Sequence, residues 1–408
     1  MHQLFEILQS IMNLNSGYPF WLLKNGLPAT YPSLKSNHSC DVLIVGGGIS
    51  GVLAAYHISA AGYDVAIVDS RHFGTGSTCA STALIQYETD SHLTELSEKY
   101  GVRKAERCLQ LTFSAVEDLG KIIEKHNIDC EYKKKSSLYL ASTVKDNAKL
   151  INEYEARCKA GFEAKLWGKS EIESKFPFSA SAAIWSNNSA ELNTLKLTYS
   201  LLKIIARKGV SLFDNTSVVQ IQKRKRTFET TTGSGLKIRS RHLVVACGYE
   251  SEQFLKKKYS KINSTYAIVS EPVNPNMLWH RSCLIWESAR PYLYMRTTKD
   301  NRIIVGGKDE PFYNPEKRDQ LLKKKQKDLT LAFQRKFQDI PFHPEFSWTG
   351  TFAETKDSLP YIDKNRGCIF ILGFGGNGIT FSQLAGKLVV DLIKGKKNSD
   401  LNLFSFKR

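Results

Sequence analysis

The sequence predicts an α/β chain: a Rossmann-type nucleotide-binding domain whose sheet is interrupted by a second, strand-rich domain. Three observations predict it. A strand, glycine turn, helix and strand follow one another from Asp41 to Ser70. A second strand–glycine–helix unit closes the chain, from Cys368 to Ile393. Between them, far from the first unit, His242 to Cys247 (HLVVAC) forms another buried apolar strand ending at Gly248.

The first unit reads DVLIVGGGISGVLAAYHISAAGYDVAIVDS. Val42 to Val45 is a continuous apolar run of the kind that parallel strands carry when both faces are covered. Gly46, Gly48 and Gly51 fit G-x-G-x-x-G. The first permits the tight turn, the second lets the backbone approach a pyrophosphate, and the third lets the helix pack close to the strand. The amides at the helix start, Ile49 and Ser50, and the helix dipole favour phosphate charge. Leu53 to Ala61 continue the helix, Gly62 is placed to end it, and Asp64 to Val68 form the next strand. Asp69 and Ser70 follow, where a carboxylate accepts hydrogen bonds from a ribose.

A chain of 408 residues has ample core for one large domain or two interleaved ones. No apolar run approaches the ~20 residues needed to span a bilayer. The start, MHQLFEILQSIMNL, lacks a basic n-region and a small-residue cleavage site, so a cytoplasmic protein is expected. Met12 is a candidate start, since Met1 to Ile11 adds only a weakly amphipathic turn or two. Eight dispersed cysteines without C-x-x-C read as reduced core thiols, with no metal site expected. The net charge of +17 is spread over separate lysine runs that do not interleave with aromatics. Solvated basic faces are expected, and nucleic acid is not an expected partner.

Residues 1–40 read as an extended arm lying on the domain. After Asp69, Gly74 and Gly76 with Ser77, Thr78, Ser81 and Thr82 form a glycine–hydroxyl loop suited to phosphates and sugar. The period over 102–126 (Ala105, Cys108, Leu109, Thr112, Ala115, Val116, Leu119, Ile122, Ile123) predicts a long helix packed on the sheet. Helices are expected at Lys149 to Cys158, Ser170 to Lys175, Leu195 to Lys208 and Pro315 to Gln338. Strands are expected at Leu138 to Ala141, Ser211 to Phe213 and Val218 to Ile221. A hairpin is expected at Thr230 to Thr232 and Leu236 to Arg239, separate from HLVVAC, and more strands over Tyr266 to Val273 and Arg290 to Gly307. In RPYLYMR, alternation puts Arg290, Tyr292, Tyr294 and Arg296 on one face, suiting a ligand pocket. At the end, Gly373 to Thr380 (GFGGNGIT) is a second place where backbone amides face a ligand.

With both ends in view, the chain resembles the glycine oxidase/D-amino-acid oxidase family of FAD enzymes, from roughly Asp41 to the C-terminus. The resemblance rests on the fingerprint with Asp69, GTGST, the strand ending at Gly248, YLYMR…RIIVGG, Trp348-x-Gly350…T-K-D-x-x-P, and GFGGNGI. It implies a Rossmann-type FAD-binding domain interleaved with a mostly antiparallel α+β substrate domain. An arm over 1–40, FAD-binding segments over 41–130, 186–260 and 346–408, and substrate segments over 131–185 and 261–345 are then expected. By motif match, Gly46, Gly48, Ile49, Ser50, Gly51, Asp69 and Ser70 hold the ADP half of a non-covalent FAD. Gly76, Ser77, Thr78 and Thr82 lie along the pyrophosphate and flavin. Val218 meets adenine through its backbone, with Gly248 nearby, and Gly373, Gly376, Asn377, Gly378, Ile379 and Thr380 face the flavin.

The implied reaction oxidises a C–N bond of an amine or amino acid by hydride transfer to flavin N5, giving an imine that hydrolyses. The electron acceptor is oxygen or a respiratory carrier. Tyr292, Tyr294 and Arg296 are the expected substrate-facing residues. Two departures stand out. The arginine that glycine oxidase places two residues after W-x-G is Phe352 here, and a second arginine of that site falls at Gly376. An amine, or a carboxylate held by Arg296, fits that change. The oxygen-activating lysine of monomeric sarcosine oxidase falls near Ile304. A flavin-dependent 2-hydroxy-acid dehydrogenase and a tRNA-modifying flavoprotein are the alternatives.

Overall fold

Strand direction sorts the chain into two sheets in the computed structural model, which describes residues 3–6 and 11–408. In the nine-stranded sheet, Cys368–Leu372, Lys237–Val245, His38–Val45, Val65–Val68 and Ser211–Phe213 lie side by side and parallel. Alternation splits their side chains between two layers. Val42 and Ile44 pack with the helices Ile49–Ala60, Thr194–Ala206 and Gly378–Lys394. Leu43 and Val45 pack with Val218, Ile221 and Phe228 of a hairpin on the other side. Both faces being covered, the strands carry no polar stripe.

One expectation is corrected here. Leu236 to Arg239 and HLVVAC are not separate strands but one, Lys237–Val245. Its first half alternates, with Ile238 and Ser240 buried and Lys237, Arg239 and Arg241 exposed. Its second half, Leu243–Val245, is buried throughout. The pattern changes because one edge carries Phe228–Thr232 along the first half and Cys368–Leu372 along the second.

The ten-stranded sheet is antiparallel except where Leu284–Glu287 runs parallel to Lys133–Leu140. Its strand Ala182–Glu191 runs through the expected boundary at 185/186, and Pro344–Thr355 through that at 345/346. Leu84–Ile85 also joins this sheet, from within the expected 41–130 segment.

The arm is more ordered than an extended strap. Gln3–Glu6 adds an antiparallel strand to the edge of the first sheet, where a turn was expected. Ser16–Gly17 pairs with Pro344–Thr355 of the second sheet, and Phe20–Asn25 is a short helix. Trp21 is wholly buried and donates through Nε1 to the Ser81 carbonyl at 2.6 Å. The arm therefore pins the glycine–hydroxyl loop from behind.

The helix Val102–Lys125 buries the nine residues its period singled out. Among the cysteines, Cys79, Cys108, Cys130, Cys283 and Cys368 are buried thiols, but Cys158 is exposed and Cys40 and Cys247 are half-buried. No helix of the described residues is long and apolar enough to cross a membrane.

Candidate active site

One continuous cavity of ≈ 290 Å³ runs between the two sheets, and both glycine turns open onto it. At the first, Gly46 has φ +111°, and a Cβ there would lie 2.4 Å from the Ala246 carbonyl. Gly51 lies behind the wall, and a Cβ on it would sit 1.8 Å from the Gly46 carbonyl oxygen. The helix Ile49–Ala60 can thus begin directly against the strand end, aiming its first turn into the cavity. Ile49 N–H donates to Thr78 Oγ1 at 3.0 Å, which ties the helix start to the short helix Ser77–Ala80. At the second turn Gly378–Lys394 begins, and Gly373, Phe374, Gly375, Gly376, Asn377, Gly378 and Ile379 line the same space. Two helix N-termini, each with its positive dipole end, face one volume.

At one end of the cavity, Asp69 follows Val65–Val68. Its carboxylate accepts from Gly47 N–H at 2.6 Å and Arg71 N–H at 2.8 Å. Burial nevertheless holds its pKa up at about 6, against the pull of those two amides and of the Arg71 charge. Arg71 is bidentate to Glu250, with both contacts at 2.9 Å. Val218, Gly248, Tyr249 and Phe254 complete this end.

At the other end stand Tyr292, Tyr294, Trp286, Phe352, Thr265, Asp90 and Asp309. The rings of Tyr292 and Tyr294 are 5.5 Å apart. Asp90 accepts from Gly376 N–H at 2.9 Å and lies 3.5 Å from the Tyr292 hydroxyl. Thr82 and Thr265 are within hydrogen-bonding reach of Tyr294, and Thr265 of Asp309. Burial pushes both phenols up, so they stay protonated.

The FAD dependent oxidoreductase (DAO) family matches residues 41–392. The chain belongs to this family. YhfW of Bacillus subtilis, which carries the name of a Rieske 2Fe-2S iron-sulfur protein, is 24% identical over 95% of this chain and 74% of its own length. Gamma-glutamylputrescine oxidoreductase of Escherichia coli is 24% identical over 90% of this chain and 86% of its own. Among solved structures, glycine oxidase from Geobacillus kaustophilus superposes with a TM-score of 0.75 at 21% identity, covering 91% of this chain and 99% of that one. The DAO family is FAD-dependent, and the cavity fits that cofactor: a long groove with two glycine-built amide cradles and a buried carboxylate at one end.

Most of the residues expected to face FAD do line the cavity: Gly46, Gly48, Ile49, Ser50, Asp69, Ser70, Gly76, Ser77, Thr78, Thr82, Val218, Gly248, Gly373 and Gly376 to Ile379. Gly51 and Thr380 are not in the wall. Thr380 instead donates to the Gln86 carbonyl at 2.9 Å. Arg296 is the main correction. It is 1% exposed, lies 5.4 Å from the Trp21 ring, and donates to the carbonyls of Ala83, Leu192 and Thr297. It is a buried clamp beneath the arm, outside the cavity, and cannot hold a substrate carboxylate. Ile304, near which the sarcosine oxidase lysine was expected to fall, is a fully buried core residue.

Sequence reasoning missed Arg71, Glu250, Asp90 and Asp309. Asp309 carried a weak signal, being an acid two residues after RIIVGG and two before Pro311. Asp90 carried none, because its place opposite Gly376 spans most of the chain.

Proposed function

We infer that this protein oxidises the C–N bond of an amine or amino acid to an imine, which water then hydrolyses. The observation that carries this reading is the single cavity that joins both amide cradles to a wall of phenols and carboxylates. FAD, when bound, supplies the two-electron acceptor for the hydride that leaves the carbon beside nitrogen. Gly46, Gly48, Ile49 and Ser50 would hold its pyrophosphate, and Asp69 its ribose. Ser77, Thr78 and Thr82 would lie along it, with Val218 and Gly248 at the adenine and Gly373 and Gly376 to Ile379 at the flavin end.

The chain's own contribution is position and dryness. Tyr292, Tyr294, Trp286 and Phe352 wall off the far end, so a bound amine gives up water and rests against protonated phenols. No histidine lines the cavity among the described residues. A 2-hydroxy acid would bring a carboxylate that meets no cation at this end, which weighs against that alternative.

The test is anaerobic titration of the holoenzyme with sarcosine, glycine, D-amino acids, putrescine derivatives and 2-hydroxy acids, following the flavin band. Bleaching by nitrogen donors is expected. Bleaching by 2-hydroxy acids alone would overturn the reading.

Asp69 gives a separate expectation. Only its ionised form accepts from both ribose hydroxyls, and its pKa of about 6 is raised above the usual carboxylate value. FAD affinity should therefore be full above pH 7 and decline as pH drops through about 6. The decline approaches tenfold per pH unit at most. Fluorescence titration of apoprotein at pH 5 and 7.5 measures this, and Asp69→Ala should abolish the difference.

A further inference from the structure

Charge is distributed unevenly along the cavity. Among its described lining residues the one cation is Arg71, which is engaged by Glu250 at the opposite end from the tyrosines. Arg296 is spent on backbone carbonyls. Arg290, which is exposed, lies over the Tyr292 ring at 4.7 Å and donates to the Asp90 carbonyl. Glu88 also lines the cavity, but it faces Arg157 at 3.6 Å. What the tyrosine end does present is Asp90 and Asp309.

Asp309 is the more telling of the two. Its Oδ1 is shielded from solvent yet has no hydrogen-bond partner. A buried carboxylate oxygen without a donor costs more than a satisfied one recovers, so its presence calls for a cation or donor that arrives with the ligand. An amino-acid carboxylate entering this end would instead meet like charge in a site of low dielectric.

We propose that the substrate is a cationic amine with no carboxylate on the oxidised carbon, its ammonium group received between Asp309 and Asp90. This rests on the C–N oxidation reading above and narrows it. The ammonium supplies the donors that Asp309 Oδ1 lacks and passes one proton to that carboxylate before hydride leaves the carbon beside the neutral nitrogen, while Phe352 leaves no guanidinium to select a carboxylate. The groups acting on Asp309 are Asp90, Lys325, Arg290 and the Thr265 hydroxyl, with the phenols of Tyr292 and Tyr294 alongside. Burial and Asp90 hold Asp309 at about 6, so attraction for the ammonium is lost as pH falls through that value.

The test compares butylamine with butyrate as ligands of the oxidised holoenzyme, read by rapid anaerobic mixing as perturbation of the flavin spectrum before any reduction. Butylamine should perturb the spectrum and butyrate should not. Asp309→Asn should weaken amine binding about 10- to 100-fold, the range of a hydrogen bond to a charged group, and Asp309→Glu should recover part of it. Butyrate binding as tightly as butylamine, no perturbation by either, or unchanged amine affinity in Asp309→Asn would each overturn the proposal. A paired reduction assay with pentylamine and norleucine separates the two levels. Faster reduction by norleucine sinks this inference and leaves C–N oxidation standing, whereas reduction by hydroxy acids alone sinks both.

Discussion

Gly51→Ala is expected to yield colourless protein. Its Cβ would fall 1.8 Å from the Gly46 carbonyl oxygen, an atom of the turn itself with no side chain to move aside. Helix and strand must part, and both the Gly48 approach and the Ile49 amide are displaced from the cradle. Loss of several aligned amide contacts to a phosphate should raise the FAD dissociation constant at least ~100-fold. Fluorescence titration of the purified variant measures it. Gly62→Ala is the control. Gly62 has φ +90°, and a Cβ there would meet no atom within 4 Å, so that variant carries only backbone strain. It should lose about 1–2 kcal/mol of stability and keep its flavin. Retention of full FAD affinity in Gly51→Ala would show that the fingerprint tolerates a wider gap than its contacts indicate.

The second large effect is expected at Arg157→Met. Arg157 is 1% exposed, donates through Nε to Glu153 at 2.8 Å and faces Glu88 at 3.6 Å. Glu153 also accepts from Leu93 and Thr94 N–H at 3.0 and 3.1 Å, at the start of the helix Leu93–Tyr100. Removing the cation leaves two buried carboxylates facing each other, which should cost roughly 3–5 kcal/mol. Burial already raises Glu88 above the usual carboxylate range, whereas Arg157 helps hold Glu153 below it. Without the arginine both are pushed up and take protons more readily when folded. The deficit should therefore be greatest at pH 8 and shrink toward pH 5. Urea unfolding at the two pH values checks this, and adding Glu88→Gln and Glu153→Gln should restore much of the loss. A pH-independent deficit would mean that lost packing, not unpaired charge, dominates.

These two residues also mark what sequence can and cannot reveal. Gly51 was legible because its role is local: it stands five positions along the chain from the residue it must approach. Arg157 was not: Glu153 lies one turn away on its own helix, but Glu88 reaches it from a loop, and only tertiary packing buries all three. The same division runs through the site. Strand alternation placed Tyr292, Tyr294 and Arg296 on one face, and the two tyrosines reach the cavity. Period two fixes a side but not a depth, and two residues further along the strand that side lies under Trp21. Lys237–Val245 was divided in two because its pattern changes mid-strand, where its neighbour along one edge changes.

By itself, the sequence determined the nucleotide fingerprint, the second glycine turn, the long helix with its buried face, and the loss of arginine at Phe352 and Gly376. Each depends on residues within a turn or two of one another, or on a bare substitution. Only the tertiary structure decided what replaced that lost charge. Asp90 comes from a loop after the first fold unit, Asp309 from the end of a distant strand, and Gly376 from the closing turn. Their meeting around one cavity follows from how two sheets pack, and no local pattern encodes it.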